Sequence, residues 1–436
     1  MKINVKLIPA ASLFLPILLA AGPVTAQTLT PVWVELGDGG QAIARVVVNT
    51  PQDCPAIKID DVEMKMTPRQ PVPDGLRPAC EFILPANAQH ATVNGHELAL
   101  PRKNPLRIVT IGDTGCRIKG KRVQGCNDPG VWPFAQVAGN AAEEQADLVI
   151  HVGDYLYRED MCPADAQDKC GGNPSGDNWE TWNADFFAPA AKLLAAAPWA
   201  FSRGNHEDCK RAWRGWFYYL DPRPLTPEGK DCEVYSAPYV IRLGKFELAM
   251  LDSSPVNEDQ AEEKQVAEYA KQLTAIEAML HGKRAWLADH HPFWGLKTEG
   301  QKTETISAPL EAAWDRVVPK HIGLILSGHV HLFEILSFAG TGKTARPPQI
   351  VAGDGGTALA EAITEPLNGA PLHGAKIVAS ESQREFGYTM MTRVSKQDQQ
   401  WKVTLENRQR EALLACSIQE RQAACDESKN STKPRQ

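Results

Sequence analysis

The sequence predicts an α/β chain with a small all-β region in front of it. Three observations carry that reading. From Leu106 onward, apolar strand-like runs alternate with helical stretches, the pattern of a layered α/β architecture. Several of those runs stop at a tight turn that carries an aspartate, an asparagine or a histidine, and the carboxyl ends of strands are where such sheets bind ligands. Before residue 100 there is no helical period, only short β-type runs separated by turn residues.

The chain of 436 residues is long enough for two or three domains, and its 43% hydrophobic and 23% charged residues are ordinary for a globular protein. Residues 1–26 have the pattern of a secretory signal peptide: Lys2 and Lys6, an apolar run from Leu7 to Ala21, and Val24-Thr25-Ala26 before Gln27. A membrane anchor fits less well, because the run is short for a span and contains Pro9 and Pro16. Removing Lys2 and Lys6 takes the formal charge from −7 to about −9, which argues against a protein that grips nucleic acid by neutralising phosphates. The expected location is periplasmic or secreted.

Ten cysteines follow the leader, and an even count in an exported chain suggests disulfides. Nearest-neighbour pairing gives 54–80, 116–126, 162–170, 209–232 and 416–425, each bracketing a loop. Thiolate metal ligation is disfavoured, since no Cys-x-x-Cys spacing occurs.

Residues 27–103 contain Val32 to Leu36, Ala42 to Val48, Cys80 to Leu84 and Ala91 to Leu98 as β-type runs, and read as a small antiparallel sandwich. Pro101 to Pro105 is the linker. In residues 104–408, Leu106 to Ile111 is a buried strand, Trp132 to Gln145 a helix and Asp147 to Val152 the next strand. A polar insertion lies between Asp160 and Asn178, and Trp179 to Ala196 has helical character. Tyr239 to Leu243 and Phe246 to Leu251 form a hairpin over Gly244-Lys245, and Asp259 to His281 is an amphipathic helix. Strands at Arg284 to Asp289, Ile322 to Leu326 and Ile350 to Ala352 follow, and Tyr388 to Val394 and Trp401 to Leu405 close the domain. Residues 409–436 are polar and read as a loosely held tail.

The chemistry lies in five fragments at predicted strand ends. They are Gly112-Asp113-Thr114-Gly115, Gly153-Asp154-Tyr155-Leu156-Tyr157, Gly204-Asn205-His206-Glu207, His290-His291-Pro292 and Gly328-His329-Val330-His331. A single Gly-Asp pair is commonly just a turn, and a lone histidine is commonly structural; His90, His96, His151, His281, His321 and His373 take that plain reading. Five fragments in one order are different. Hard oxygen donors mixed with imidazole suit first-row ions, and a carboxylate shared by two ions holds them at the separation of about 3.5–4 Å used in two-metal hydrolysis.

This ordered set resembles the calcineurin-like metallophosphoesterase superfamily. The Gly-Asp-x-x-Tyr spacing of Asp154 and Tyr157 resembles its purple acid phosphatase branch, over about residues 105 to 395. The resemblance implies a metallophosphoesterase β-sandwich core flanked by helices, preceded by a small all-β domain of fibronectin or Ig-like type. It implies a first metal held by Asp113, Asp154, Tyr157 and His331. The second would be held by Asp154, Asn205, His290 and His329, with Asp154 bridging. His206 would contact phosphate or protonate the leaving group, and hydroxide held by the metal pair would attack phosphorus.

A phenolate at Tyr157 favours a ferric ion, and the second site suits a divalent ion such as iron, zinc or manganese. The His-x-Pro spacing selects His290 over His291, and Tyr155 is read as packing beside Tyr157. Departures from the family pattern are the lack of histidines from Phe293 to Lys302 and the Cys162 to Cys170 insertion after Tyr157. The loop Gly353 to Gly356 resembles a family glycine loop and reads as close backbone packing. The expected activity is acid phosphatase-type hydrolysis of small phosphomonoesters. The alternative on the same site is a phosphodiesterase or nucleotide hydrolase; a rival of another class is a non-catalytic metal-binding surface protein. No stable nucleic-acid partner is expected, nor a membrane contact after leader cleavage, and the oligomeric state stays open.

Overall fold

The computed structural model describes Met1 and residues 31–426, apart from residues 226–231, 259, 300, 301, 341, 364, 366 and 395–399. Beyond Met1, the expected signal peptide lies outside the described residues.

Two sheets face each other across a shared core. In the eleven-stranded sheet, Arg107–Ile111, Leu148–His151 and Trp199–Phe201 run parallel at the centre. In the eight-stranded sheet, Phe246–Met250, Ala285–Ala288, Ile322–Ser327 and Gln349–Ala352 run parallel. The apolar runs are continuous because both faces of each sheet are buried. Ile108, Ile150 and Ala200 point between the sheets, against the layer of Leu248, Trp286, Leu324 and Ile350. Val109, Ile111, Val149 and Phe201 point the other way, under helices Phe134–Ala142 and Ala188–Ala196. Glu263–Met279 and Ala308–Val317 cover the second sheet. Val266, Tyr269, Ala270, Leu273 and Ile276 make the buried stripe of the longer helix, at helical spacing. Burying one such large aliphatic side chain contributes about 1.5–3 kcal/mol.

The helical stretch expected from Trp179 to Ala196 is interrupted. Asn183–Phe187 is a π-helical turn between Trp179–Trp182 and Ala188–Ala196, and it carries the buried Asp185. Such turns concentrate at functional sites.

The N-terminal region is all-β, as expected, but its strands divide between two sheets. Val32–Leu36 pairs in parallel with Trp199–Phe201, and Ala42–Val47, Ala79–Ile83 and Thr67–Pro68 extend the same large sheet. Ala56–Ile59, Val62–Lys65, Ala91–Val93 and His96–Glu97 form a separate four-stranded sheet. Buried Arg45 fastens the joint, donating to the carbonyls of Tyr219 and Asp221 at 2.7 and 2.9 Å and pairing with Glu35 at 2.8 Å.

The expected loose tail is corrected over residues 412–425. Ala412–Gln419 and Gln422–Cys425 add two antiparallel strands to the edge of the large sheet. The reason is period-two alternation: Leu414, Cys416 and Ile418 are buried against Trp401, Val403 and Leu405. Residues 427–436 lie outside the described residues. All five expected cysteine pairs are disulfides, and no described cysteine is free. No helix among the described residues is long and apolar enough to cross a membrane.

Candidate metal centre

The parallel strands of both sheets end on one side, and the five fragments meet there. Asp113 and Asp154 follow Arg107–Ile111 and Leu148–His151; Asn205 and His206 follow Trp199–Phe201. His290 follows Ala285–Ala288, and His329 and His331 follow Ile322–Ser327. Asp113, Asp154 and His329 have φ of 54°, 61° and 71°, a left-handed conformation that turns each side chain across the sheet end. The preceding glycines let fragments touch: a Cβ on Gly204 would overlap Asp154 Oδ1, and one on Gly328 would crowd Asp113 Oδ2.

One cluster centres on the Tyr157 hydroxyl. It lies 2.9 Å from Asp113 Oδ1, 2.7 Å from Asp154 Oδ2 and 2.9 Å from His331 Nε2. The second centres on Asn205 Oδ1, 3.0 Å from His290 Nε2 and 2.9 Å from His329 Nδ1. Asp154 Oδ2 joins them, since it also stands 3.3 Å from His290 Nε2. The groups fit a cation-binding role. A phenol has one proton, yet Tyr157 faces three acceptor-capable atoms. Burial first, then the Asp113 and Asp154 carboxylates, push its pKa well above the usual phenol value. A cation at those atoms reverses that field. Burial alone would lower His290, but the Asp154 carboxylate, together with Asp113 and the Val152 carbonyl, outweighs it and raises His290 to about 10. A cation displaces such a proton when it takes the same nitrogen.

Each histidine is oriented through its other nitrogen. His290 Nδ1 lies 2.8 Å from the Val152 carbonyl, His331 Nδ1 lies 3.0 Å from that of Ala358, and His329 Nε2 lies 3.1 Å from Glu258 Oε1. Such partners fix ring direction and tautomer in metal sites. His206 is buried, its ring 3.8 Å from that of Tyr157 and its Nδ1 2.9 Å from Glu159 Oε1. Burial lowers its pKa in spite of the Asp154 and Glu159 carboxylates, whereas Glu159 is held near 2 by His206, Lys119 and Arg211 against its own burial.

His291 lies beside the centre, its ring 4.1 Å from that of His329, and its backbone amide donates to Ser253 Oγ. Its ligand atom falls within 4.8 Å of those of His290 and His329, so proximity alone does not dismiss it. The contact to Asp154 belongs to His290. Tyr155 stacks on His151 at 4.0 Å and donates to the Ser202 carbonyl, away from the cluster. Gly353 and Gly355 pack against backbone, of Val330 and Gly112 respectively, as the glycine-loop reading expects.

Two buried carboxylates were not foreseen. Glu207 accepts from the amides of Tyr155, Leu156 and Gly204, clamping two candidate-ligand fragments together. Glu three residues after Gly204 has the capping-box spacing, a signal that was legible. Asp185 accepts from the amides of Cys116, Tyr157 and Arg158 at 2.9, 2.8 and 3.1 Å, and so fixes the backbone of Tyr157.

The fold has counterparts among solved structures. A purple acid phosphatase, PPD1, from yellow lupin (Lupinus luteus) seeds superposes with a TM-score of 0.57 at 14% identity, covering 89% of this chain and 74% of that one. A structure of PhoD superposes with a TM-score of 0.56 at 13% identity, covering 92% of each chain. At those identities the likeness speaks to fold alone. No curated protein matches the chain in sequence. A family model for calcineurin-like phosphoesterases matches residues 106–333, just over half the chain, a span that opens before Asp113 and closes after His331. The chain therefore belongs to the calcineurin-like phosphoesterase family.

Proposed function

We propose that the chain is an exported phosphomonoesterase working at a centre of two metal ions. In this reading Asp113, Asp154, Tyr157 and His331 hold a ferric ion. Asp154, Asn205, His290 and His329 hold a divalent iron, zinc or manganese ion. The observation that carries it is the position of Asp154 Oδ2, 2.7 Å from the Tyr157 hydroxyl and 3.3 Å from His290 Nε2, within reach of both donor clusters. Export is supported by the leader pattern and the five disulfides.

Two bound cations supply Lewis acidity to the phosphoryl group and make water nucleophilic near neutral pH. The chain's own residues do the rest. Asp154 Oδ1 accepts from the His206 amide at 2.9 Å and Asp113 Oδ2 from the His329 amide at 2.9 Å, so neither carboxylate can swing away. His206, its Nδ1 anchored to Glu159, would in its protonated form, which acid pH favours because burial lowers its pKa, give the leaving oxygen a proton as the phosphorus–oxygen bond breaks. Glu207 and Asp185 keep the carboxylate and phenol fragments in register.

The test is turnover of an aryl phosphomonoester beside the matching diester, on mature protein reconstituted with iron and zinc. Monoester preference is the expected result. Diester preference would move the function to a phosphodiesterase on the same centre, and inertness to both in metal-loaded protein would leave a non-catalytic metal-binding protein.

A further inference from the structure

One guanidinium at the centre makes no ion pair among the described residues. Arg117 Nη2 stands 3.5 Å from His331 Nε2, and its guanidinium carbon lies 5.1 Å from the centre of the Tyr157 ring. Its Nε is buried without a hydrogen-bond partner, and among the described residues no carboxylate pairs with it. The neighbouring cations differ. Lys119 is 2.8 Å from Glu159, Arg211 is 3.9 Å from Glu159, and Lys297 is 3.5 Å from Glu258. Arg117 is half-buried with its Nε shut off from water, so leaving that group unpaired is costly, and an anion arriving at the site offsets the cost.

The side chain is also held from behind. Cys116, next to it, is bonded to Cys126. Gln124 Oε1 accepts from the amides of Arg117 and Ala358, and Gln124 Nε2 donates to the Gly356 carbonyl. Ala358 is the residue whose carbonyl orients His331. One glutamine thus ties the backbone of Arg117 to the segment that aims a candidate metal ligand.

We infer that Arg117 is a specificity-determining ligand for the substrate's phosphoryl group, reading the non-bridging oxygen that a monoester leaves free and a diester has esterified. This rests on the phosphomonoesterase reading above. A planar guanidinium fork matches phosphate oxygens in a way that an ammonium does not. A monoester dianion offers it more charge than a diester monoanion, so the contact separates the two classes rather than assisting both.

The experiment uses the full mature protein, reconstituted with iron and zinc, as wild type, Arg117→Ala and Arg117→Lys. It compares kcat/KM for an aryl monoester and the matching diester, and measures inhibition by inorganic phosphate. In Arg117→Ala the monoester value is expected to fall about 100-fold. The monoester-to-diester ratio should fall by about 30-fold or more, and phosphate inhibition should weaken about tenfold. Arg117→Lys should recover little, and guanidinium added to Arg117→Ala should recover part of the monoester rate. Equal losses on both esters, or unchanged phosphate inhibition, would overturn the assignment. So would loss of metal from Arg117→Ala, which would make Arg117 a support of the centre. Wild-type protein inert to both esters would remove the phosphoesterase reading instead; phosphate affinity, followed by its effect on the metal spectrum, would still decide Arg117.

Discussion

The eleven-stranded sheet delivers Asp113, Asp154, Tyr157 and Asn205, all oxygen donors, whereas the eight-stranded sheet delivers His290, His329 and His331, all nitrogen donors. The two sets are braced differently. The oxygen donors are held by backbone amides and by the buried carboxylates Glu207 and Asp185 beneath their fragments. The histidines are held by acceptors: two carbonyls and Glu258. The bracing also crosses between sheets. The His329 amide donates to Asp113, and His290 Nδ1 meets the Val152 carbonyl. Neither sheet therefore makes the centre alone, and its geometry depends on how the two pack.

The largest effect is expected where the halves join. Asp154→Asn should cost about 10³-fold or more in kcat/KM on either ester and lower the metal content, measured together by kinetics and elemental analysis. Next comes the oxygen side alone. Tyr157→Phe should abolish any visible tyrosinate-to-iron band in the iron-loaded, oxidised protein while the far-ultraviolet circular dichroism stays unchanged. A wild-type protein that is iron-loaded, oxidised and colourless would contradict the ferric assignment. On the nitrogen side, Glu258→Gln should weaken the second metal about 10- to 100-fold, read by chelator competition, and leave the tyrosinate band in place. Loss of the band in that variant would show that the two halves are not separable.

The smallest effect concerns the eight-stranded sheet as a scaffold. Glu334 is buried at 1% exposure, and burial raises its pKa from 4.5 to about 8 in spite of a hydrogen bond from the Leu296 amide. Between those values the folded state holds a proton that the unfolded state releases. Its contribution is full below pH 4.5, falls as pH rises and is gone above about 8. Glu334→Gln should flatten that slope, raising the melting temperature at pH 8 relative to pH 5 by about 1 °C for each kcal/mol recovered in a chain of this length. An unchanged slope would contradict the assignment.

The candidate donors that the fold brings together were legible because each sits where an apolar run stops at a turn, a local signal that survives without knowledge of packing. The supports were not. Asp185 lies in a helical stretch and looks like any solvated aspartate; only the π-helical turn directs it inward. Glu258 and Arg117 sit in loops whose positions depend on long-range packing. The edge strands at 412–425 hid a two-residue period behind polar composition, since Ser417 and Gln419 alternate with Cys416 and Ile418. Joining Val32–Leu36 to the large sheet is a parallel pairing across more than half of the fold's first two hundred residues, and nothing local announces it.

The most direct test is anomalous diffraction from crystals of iron- and zinc-reconstituted protein. Two ions about 3.5–4 Å apart are expected, both ligated by Asp154, with Tyr157 on one and His290 on the other. A single ion, or a pair in which Asp154 touches only one, would contradict it.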